Sequence, residues 1–415
     1  MIRAILDGCY KINSTDVNDY ICIGGFEALK KAINMEPLSI CEEIKNSNLR
    51  GRGGAAYPTG VKWEQAYNIK GDEKYILCNG DEGEPGTFKD KLIFENLPLR
   101  LIEGMTIAAR VLGAKEGIIY IRGEYAAIQK VVNEAIYNAK KEGYLGENIL
   151  GSAFTFNIKV LTGAGAYVVG ENSALAESAE GKVGRPRMKP PYIKECGLYG
   201  KPTLVNNVET FTTIPYIVSK GAKSYRSLGN EASGGTKLIS LCGNVKRRGV
   251  YEIPFGISIK DIIYKLGEGI SLDNKLKAVH IGGSSGSIIP KELIDTEYCY
   301  DALKKINVSV GSGSILVIDD SVDMIEYLLH VYKFFFHESC GKCTPCREGN
   351  KQIVNILEKL NDKKGTIDDI NTLERLLDVM KNASFCGLGK TAPTALNSAI
   401  KYFKEDLMKG IEVKR

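Results

Sequence analysis

Cys340, Cys343 and Cys346 stand at two-residue gaps in a loop that contains Gly341 and Pro345, and Cys386 follows after 39 more residues, in Phe385-Cys386-Gly387-Leu388-Gly389. A chain with this pattern has to fold so that a distant segment returns to the triple knuckle. Four soft thiolates converging on one point suit a cubane iron–sulfur cluster, three from the tight loop and one from the returning segment. A structural zinc site stays open, although such sites more often pair two C-x2-C knuckles, and so does a set of unligated core thiols. A cluster makes the chain an electron carrier, and a carrier needs a donor elsewhere in the sequence.

At 415 residues the chain exceeds one small core and is expected to fold as several packed units. The formal charge of +5, from 55 basic and 50 acidic side chains, is mild and spread along the chain, so it gives no support to nucleic-acid binding. The start, Met1-Ile2-Arg3-Ala4-Ile5-Leu6-Asp7, lacks the apolar core of a signal peptide, and no run of about 18 apolar residues occurs. A cytoplasmic protein without direct membrane insertion is therefore expected. The remaining seven cysteines have no framework spacing and read as reduced thiols.

The first fifty residues have helical periodicity and lead into Gly51-Arg52-Gly53-Gly54-Ala55-Ala56-Tyr57-Pro58. The G-x-G-x-x-A match there lacks a preceding strand, and Pro58 interrupts it, so the dinucleotide fingerprint is not credited. Such dense glycines still let backbone N–H groups close on an anion, with Arg52 and Lys62 adding charge, and a flexible loop is the plain alternative. A strand over 75–78 delivers Asn79-Gly80-Asp81-Glu82-Gly83-Glu84, whose carboxylates are expected to accept from ribityl or ribose hydroxyls or else to form a solvated turn. Helix, strand, helix and strand follow over 99–111, 117–122, 125–142 and 154–161, the alternation of an α/β domain with a largely parallel sheet. The last strand runs through Gly163 and Gly165 to a helix near Ser173, which makes that helix N-terminus the better phosphate candidate. Residues 201–210 read as a polar turn entering a helix. Short alternating runs over 236–320, with a helix near 259–266, read as a small mixed sheet, and helices fill the chain from about 322, at 350–360, 367–380 and 392–409. His280 and His330 are isolated and receive no role.

Together these stretches resemble the flavoprotein subunit of respiratory complex I, the NADH-oxidising 51-kDa-type subunit, and its relatives in NAD(P)-linked hydrogenases and formate dehydrogenases. The glycine loop, residues 79–90, 163–171 and 201–210 and the four cysteines occur in that family's order. The resemblance implies FMN held by Gly51, Arg52, Gly53, Gly54, Lys62, Asn79, Asp81, Glu82, Tyr167, Gly170, Glu171, Val205, Asn206, Asn207 and Thr210, and a [4Fe-4S] cluster on Cys340, Cys343, Cys346 and Cys386. It places Glu84 near the nicotinamide and Tyr57, Gln65, Asn172, Lys189 and Tyr192 along the nucleotide pocket. It further implies a Rossmann-like FMN and nucleotide domain over 1–235, a ubiquitin-like β-grasp domain over 236–320 and a helical cluster domain over 321–415. The activity implied is hydride transfer between NAD(P)H and FMN, with single electrons leaving through the cluster.

Four positions depart from the family pattern. Tyr57, Gln65 and Tyr192 stand where Phe is common, and Asn172 replaces a Glu that repels a 2′-phosphate. NADPH is therefore expected to serve at least as well as NADH, with Lys182, Arg185, Arg187 and Lys189 as nearby cations; neutral drift is the plain alternative. Gln65 and Asn172 also motivate a different class of function, a relay or scaffold subunit without nucleotide chemistry. No cysteine follows Cys386, and no additional iron–sulfur domain is recognised on either side of the core. The expected electron partners are therefore a thioredoxin-fold [2Fe-2S] subunit and a larger iron–sulfur or catalytic subunit.

Overall fold

The computed structural model describes residues 3–412. The chain divides into two compact units, one of residues up to 83 with 88–239 and 250–256, the other of 84–87, 240–249 and 257–415.

In the first unit, residues 3–16 form turns, and the helical lead-in is a series of short helices, Val17–Cys22, Glu27–Ile33 and Pro37–Asn46. The sheet consists of β1 (Tyr75–Gly80), β2 (Glu116–Arg122), β3 (Asn157–Gly163) and β4 (Thr203–Asn207), in the order β3-β2-β1-β4 and parallel throughout. Ile118, Ile119, Tyr120 and Ile121 are buried in succession, because helices cover both faces of a parallel sheet and leave no solvent side for alternation. β4 was not expected as a strand. Two of its five residues are asparagines, and its place beside β1 was invisible in a local pattern.

Helix Pro98–Leu112 is buried along almost its whole length against helix Val208–Lys220, which begins where β4 ends. A Cβ at Gly104 would lie 2.0 Å from the Phe211 carbonyl oxygen, so the two backbones touch there. The obstacle is backbone, which cannot swing aside as a side chain would.

β5 (Thr236–Gly243) and β6 (Gly249–Pro254) fall in the stretch where the division between units lies. In the second unit, β9 (Ser314–Asp319) pairs in parallel with residues 240–243 of β5 and antiparallel with β7 (Leu276–Ile281), which carries β8 (Ser287–Pro290) on its other side. The mixed sheet was expected; β8, four residues long, was not. The helix near 259–266 is a single turn, Ile259–Asp261, continuing as π-helix Ile262–Leu266. The C-terminal helices are Met324–Glu338, Thr344–Asn361, Ile367–Ala383, Gly387–Thr391, Pro393–Tyr402 and Lys404–Met408. Thr366 and Asp369 form a reciprocal capping box at the third of these, and Phe403 breaks the expected helix over 392–409 into two.

Gly104→Ala should lower the stability of the first unit by about 3 kcal/mol, the upper end for overpacking. Urea unfolding monitored at the single tryptophan, Trp63, checks this, and an unchanged midpoint would show that the two helices can part without cost.

Candidate functional site

The strand order makes a switch point. β2 and β3 are laid down on one side of β1 and β4 on the other, so the carboxyl ends of β1 and β4 open a crevice where open parallel sheets take their ligands. Cys78 pairs with Asn206 and Asn79 with Asn207 at that edge. The glycine loop arrives there too: the Arg52 N–H donates to Thr210 Oγ1 at 2.9 Å, and a Cβ on Gly53 would meet Asn207 Cβ at 3.1 Å. From the other side, Asn79 Nδ2 donates to the Gly170 carbonyl at 2.9 Å, and a Cβ on Gly83 would meet Tyr167 Cα at 3.3 Å. Tertiary structure thus brings together Gly51, Arg52, Gly53, Lys62, Asn79, Asp81, Glu82, Tyr167, Gly170, Val205, Asn206, Asn207 and Thr210.

Several of these side chains are satisfied by the protein. The Arg52 guanidinium does not line the glycine loop as expected but is buried, donating to Tyr225 Oη at 2.9 Å, lying 4.9 Å from the Phe255 ring centroid and 4.0 Å from Glu209. Glu82 accepts from the N–H groups of Asp90 (2.8 Å) and Lys91 (3.0 Å) and from Tyr125 Oη (3.3 Å), closing the start of helix Lys89–Asn96 instead of waiting for a sugar hydroxyl. The Asn206 amide, oriented to accept from Trp63 Nε1 at 2.7 Å, faces helix Thr59–Asn68. Asn207 caps helix Val208–Lys220 and donates to Asp90 Oδ2 at 2.6 Å, while Lys89 Nζ donates to its Oδ1 at 3.2 Å. Lys62 differs. Its ammonium is bonded to the carbonyl of Val205, the middle residue of β4, has no carboxylate within ion-pair distance among the described residues, and is pushed down to about 8 by burial. A part-buried cation without a carboxylate partner fits a group carrying negative charge, as FMN does.

Sequence reasoning missed the charges beneath this crevice. Glu209, fully buried, pairs with Lys237 (2.5 Å) and Lys89 (3.1 Å), and Lys89 pairs with Asp90 (2.7 Å). Burial alone would raise Glu209, but Lys237, Lys89 and Arg52 more than offset it and hold the carboxyl below its ordinary value. Burial pushes Lys237 down to about 7 even beside Glu209. Glu82 is pushed up to about 7 by burial and by the Asp90 carboxylate, with Lys89 and the two N–H bonds pulling the other way. A Lys and an Asp adjacent in sequence, as at 89 and 90, carry no sign of burial in a local pattern.

The helix after β3 corrects the phosphate-loop expectation. Helix Asn172–Ala179 is capped by the Glu171 carboxylate, which accepts from the Ser173 N–H at 2.9 Å and the Ala174 N–H at 3.0 Å, so its N-terminus already holds an anion. Lys189 pairs with the other Glu171 oxygen at 2.6 Å. Arg187 pairs with Glu177 (3.2 Å) and Lys182 with Glu180 (2.7 Å), which leaves Arg185 as the one of the four expected cations without an ion pair among the described residues. Tyr57, Gln65 and Tyr192 do come together: Tyr57 Oη donates to Gln65 Oε1 at 3.3 Å, and Lys194, not foreseen, donates to the same oxygen at 2.9 Å and lies 5.7 Å from the Tyr192 ring centroid. Glu84 belongs to the second unit, where it accepts from Ser285 N (3.4 Å) and Oγ (3.1 Å).

The four cysteines of the knuckle pattern also lie in the second unit. Cys343 is the N-cap of helix Thr344–Asn361, Cys346 lies in its first turn, and Cys386 is the N-cap of helix Gly387–Thr391. Helix N-termini favour the thiolate form that a cluster requires. The Phe385 N–H and Asn350 Nδ2 point at the sulfurs of Cys343 and Cys346, each at 3.4 Å. Burial pushes the Cys346 thiol up to about 11, Ser339 pulls it down, and Cys343, Cys386 and Cys340 add repulsion, so all four sulfurs share one neighbourhood. Among the described residues no three His, Cys, Asp or Glu side chains are placed to hold a single metal ion. A cubane asks less, because each of its ligand sulfurs binds a different iron.

The family model for the Nuo51 FMN-binding domain matches residues 44–216, and that for the NADH-ubiquinone oxidoreductase-F iron-sulfur binding region matches residues 326–410. The chain is 43% identical to the F subunit 2 of NADH-quinone oxidoreductase of Rhizobium meliloti (strain 1021), over 96% of this chain and 95% of that one. It is 39% identical to the HndC subunit of NADP-reducing hydrogenase of Solidesulfovibrio fructosivorans, over 100% of this chain and 84% of the relative. The solved structure of an NAD+-reducing [NiFe]-hydrogenase in the H2-reduced state superposes with a TM-score of 0.86 at 34% identity, covering 98% of this chain and 67% of that one. The chain belongs to the family of NADH-quinone oxidoreductase F subunits, the flavoprotein subunits with an FMN-binding domain and a 4Fe-4S region.

Two outcomes follow from the site. A carboxyl whose folded value is raised binds its proton more tightly than in the unfolded chain, so its contribution is complete at low pH and is lost as pH rises from the ordinary carboxylate range to about 7. FMN-free Glu82→Gln should therefore gain on the parent by a few kcal/mol between about pH 5 and 8, and parallel stability curves across that range would show that Glu82 ionises normally. At the other site, Cys386→Ser should purify with clearly less than the roughly four iron and four acid-labile sulfide per chain of a cubane. Full iron with an unchanged paramagnetic signal would remove Cys386 from the ligand set.

Proposed function

We propose that this chain exchanges a hydride with NAD(P)H at an FMN seated at the β1/β4 switch point and passes single electrons through a [4Fe-4S] cluster to partner subunits. When bound, FMN and the cluster supply the conversion of a hydride into single electrons. The protein's part is to seat and orient. The observation that carries the reading is the convergence of the glycine loop, the ends of β1 and β4 and the part-buried Lys62 on one crevice.

In this reading FMN meets mainly backbone at Gly51, Arg52, Gly53, Gly54 and Gly170, together with Lys62, Asn79 and Asp81, while Glu82, Asn206, Asn207 and Thr210 keep the crevice in shape. Glu171 orders helix Asn172–Ala179 and holds Lys189, and Glu84 keeps the role given it by the resemblance. Cys340, Cys343, Cys346 and Cys386 are the cluster ligands. The division proposed is an FMN domain to residue 235, a β-grasp domain over 236–320 and a helical cluster domain from 321; the mixed pairing of β5, β9, β7 and β8 supports the middle one. No helix among the described residues is long and apolar enough to cross a membrane, and a cytoplasmic place is proposed. The partners proposed are a thioredoxin-fold [2Fe-2S] subunit and a larger iron–sulfur or catalytic subunit.

NADPH is proposed to serve at least as well as NADH. Asn172 in the first turn of its helix and a relative named as an NADP-reducing hydrogenase subunit support this. Anaerobic addition of NADH or NADPH to the FMN-loaded protein should bleach the flavin band. Bleaching by neither would leave the relay or scaffold reading in its place. A kcat/KM for NADH more than about 100-fold above that for NADPH in dye reduction would reject the NADPH reading.

A further inference from the structure

We propose that Lys194 is the residue that reads the 2′-phosphate of NADPH, an inference that rests on the nucleotide site proposed above. Three separate segments meet around it: the glycine loop through Tyr57, helix Thr59–Asn68 through Gln65, and residues 192–194. Tyr57 and Tyr192 are 47% and 50% exposed, so two aromatic rings stand open to solvent on this patch, as a base-stacking platform requires. The Gln65 carbonyl oxygen accepts from both Tyr57 Oη and Lys194 Nζ, which fills that end of the amide and leaves its NH2 end to donate.

Within this patch the cation is Lys194, and like Arg185 it has no ion pair among the described residues. Lys182, Arg187 and Lys189 are each paired with a carboxylate at 3.2 Å or less, whereas Lys194 has no carboxylate within ion-pair distance among the described residues. The adjacent Glu195 is turned to the Tyr192 N–H, from which it accepts at 2.9 Å. Lys194 is also steadied, by the Gln65 carbonyl and the Tyr192 ring, so little freedom is lost when it meets an anion. An ammonium, an amide NH2 and two open rings make up the recognition set for a phosphorylated adenosine. With the base on a ring, the phosphate nearest to it is the one on the ribose 2′ position, and it lies within reach of an ammonium beside that ring. The diphosphate, common to NADH and NADPH, starts from the far side of the ribose.

The test compares 2′,5′-ADP with 5′-AMP by calorimetry on the FMN-loaded protein, and NADPH with NADH by dye reduction. In Lys194→Ala the preference for 2′,5′-ADP over 5′-AMP should fall about tenfold or more, as should the NADPH-to-NADH ratio of kcat/KM, chiefly through KM. Lys194→Arg should retain most of both ratios, because it retains the charge. Ratios within about twofold of the parent in Lys194→Ala overturn the proposal, whether or not both ligands weaken together as contact with the diphosphate would cause. A parent protein that binds neither adenosine phosphate and bleaches with neither nucleotide overturns the nucleotide site itself, and the proposal with it.

Discussion

Glu209 is a fully buried carboxylate one residue into a helix, and the arrangement of the first unit turns on how its charge is met. Lys237 comes from the strand after it, Lys89 from the segment after β1, and Arg52 from the glycine loop. Its other oxygen accepts from the Leu238 N–H at 2.9 Å. Removing one partner of such a set leaves an uncompensated charge away from water, at a cost of roughly 3–5 kcal/mol. The three cations therefore have to arrive together, and with them arrive the glycine loop, the end of β4 and the segment that binds Glu82. The crevice owes its shape to charges lying beneath it.

This divides the labour among the candidate residues. Asn206, Asn207, Glu82 and the Arg52 guanidinium spend their hydrogen bonds on protein, so their contribution to a ligand is to hold backbone where it stands. Preorganisation of this kind lowers what binding a flat, multiply polar cofactor costs in ordering. Lys62 is the contrast, a part-buried cation bonded to a single carbonyl in the middle of β4. In the second unit the loops that aim the thiols are closed by helix N-termini, which pull against the burial that raises the Cys346 and Cys386 thiols.

Membership of the F-subunit family accounts for both ends of the chain, since one family model matches each. The positions that depart from the family pattern include Tyr57, Gln65 and Tyr192, which form an exposed patch with Lys194. Three of the four cations expected to favour a 2′-phosphate are neutralised by neighbouring carboxylates, and the available ammonium belongs to Lys194, which no local pattern singles out. Charge in a sequence is a count, but charge at a site is what remains after pairing.

The sequence by itself determined the α/β alternation, the strands at 75–78, 117–122 and the runs after 236, the helical C-terminus, the cysteine set and the family. These are local periods or fixed spacings, and steric rules and ligand chemistry read them directly. Only the tertiary structure decided that residues 203–207 form a strand beside β1, because a short polar strand is defined by its partner rather than by its own pattern. It alone decided that Glu171 caps the helix where a phosphate was expected, and that Arg52 turns into the core. Glu209 with Lys237, and Lys194 with Gln65, were likewise out of reach: 28 and 129 residues separate these pairs in the chain, and burial brings together what spacing does not.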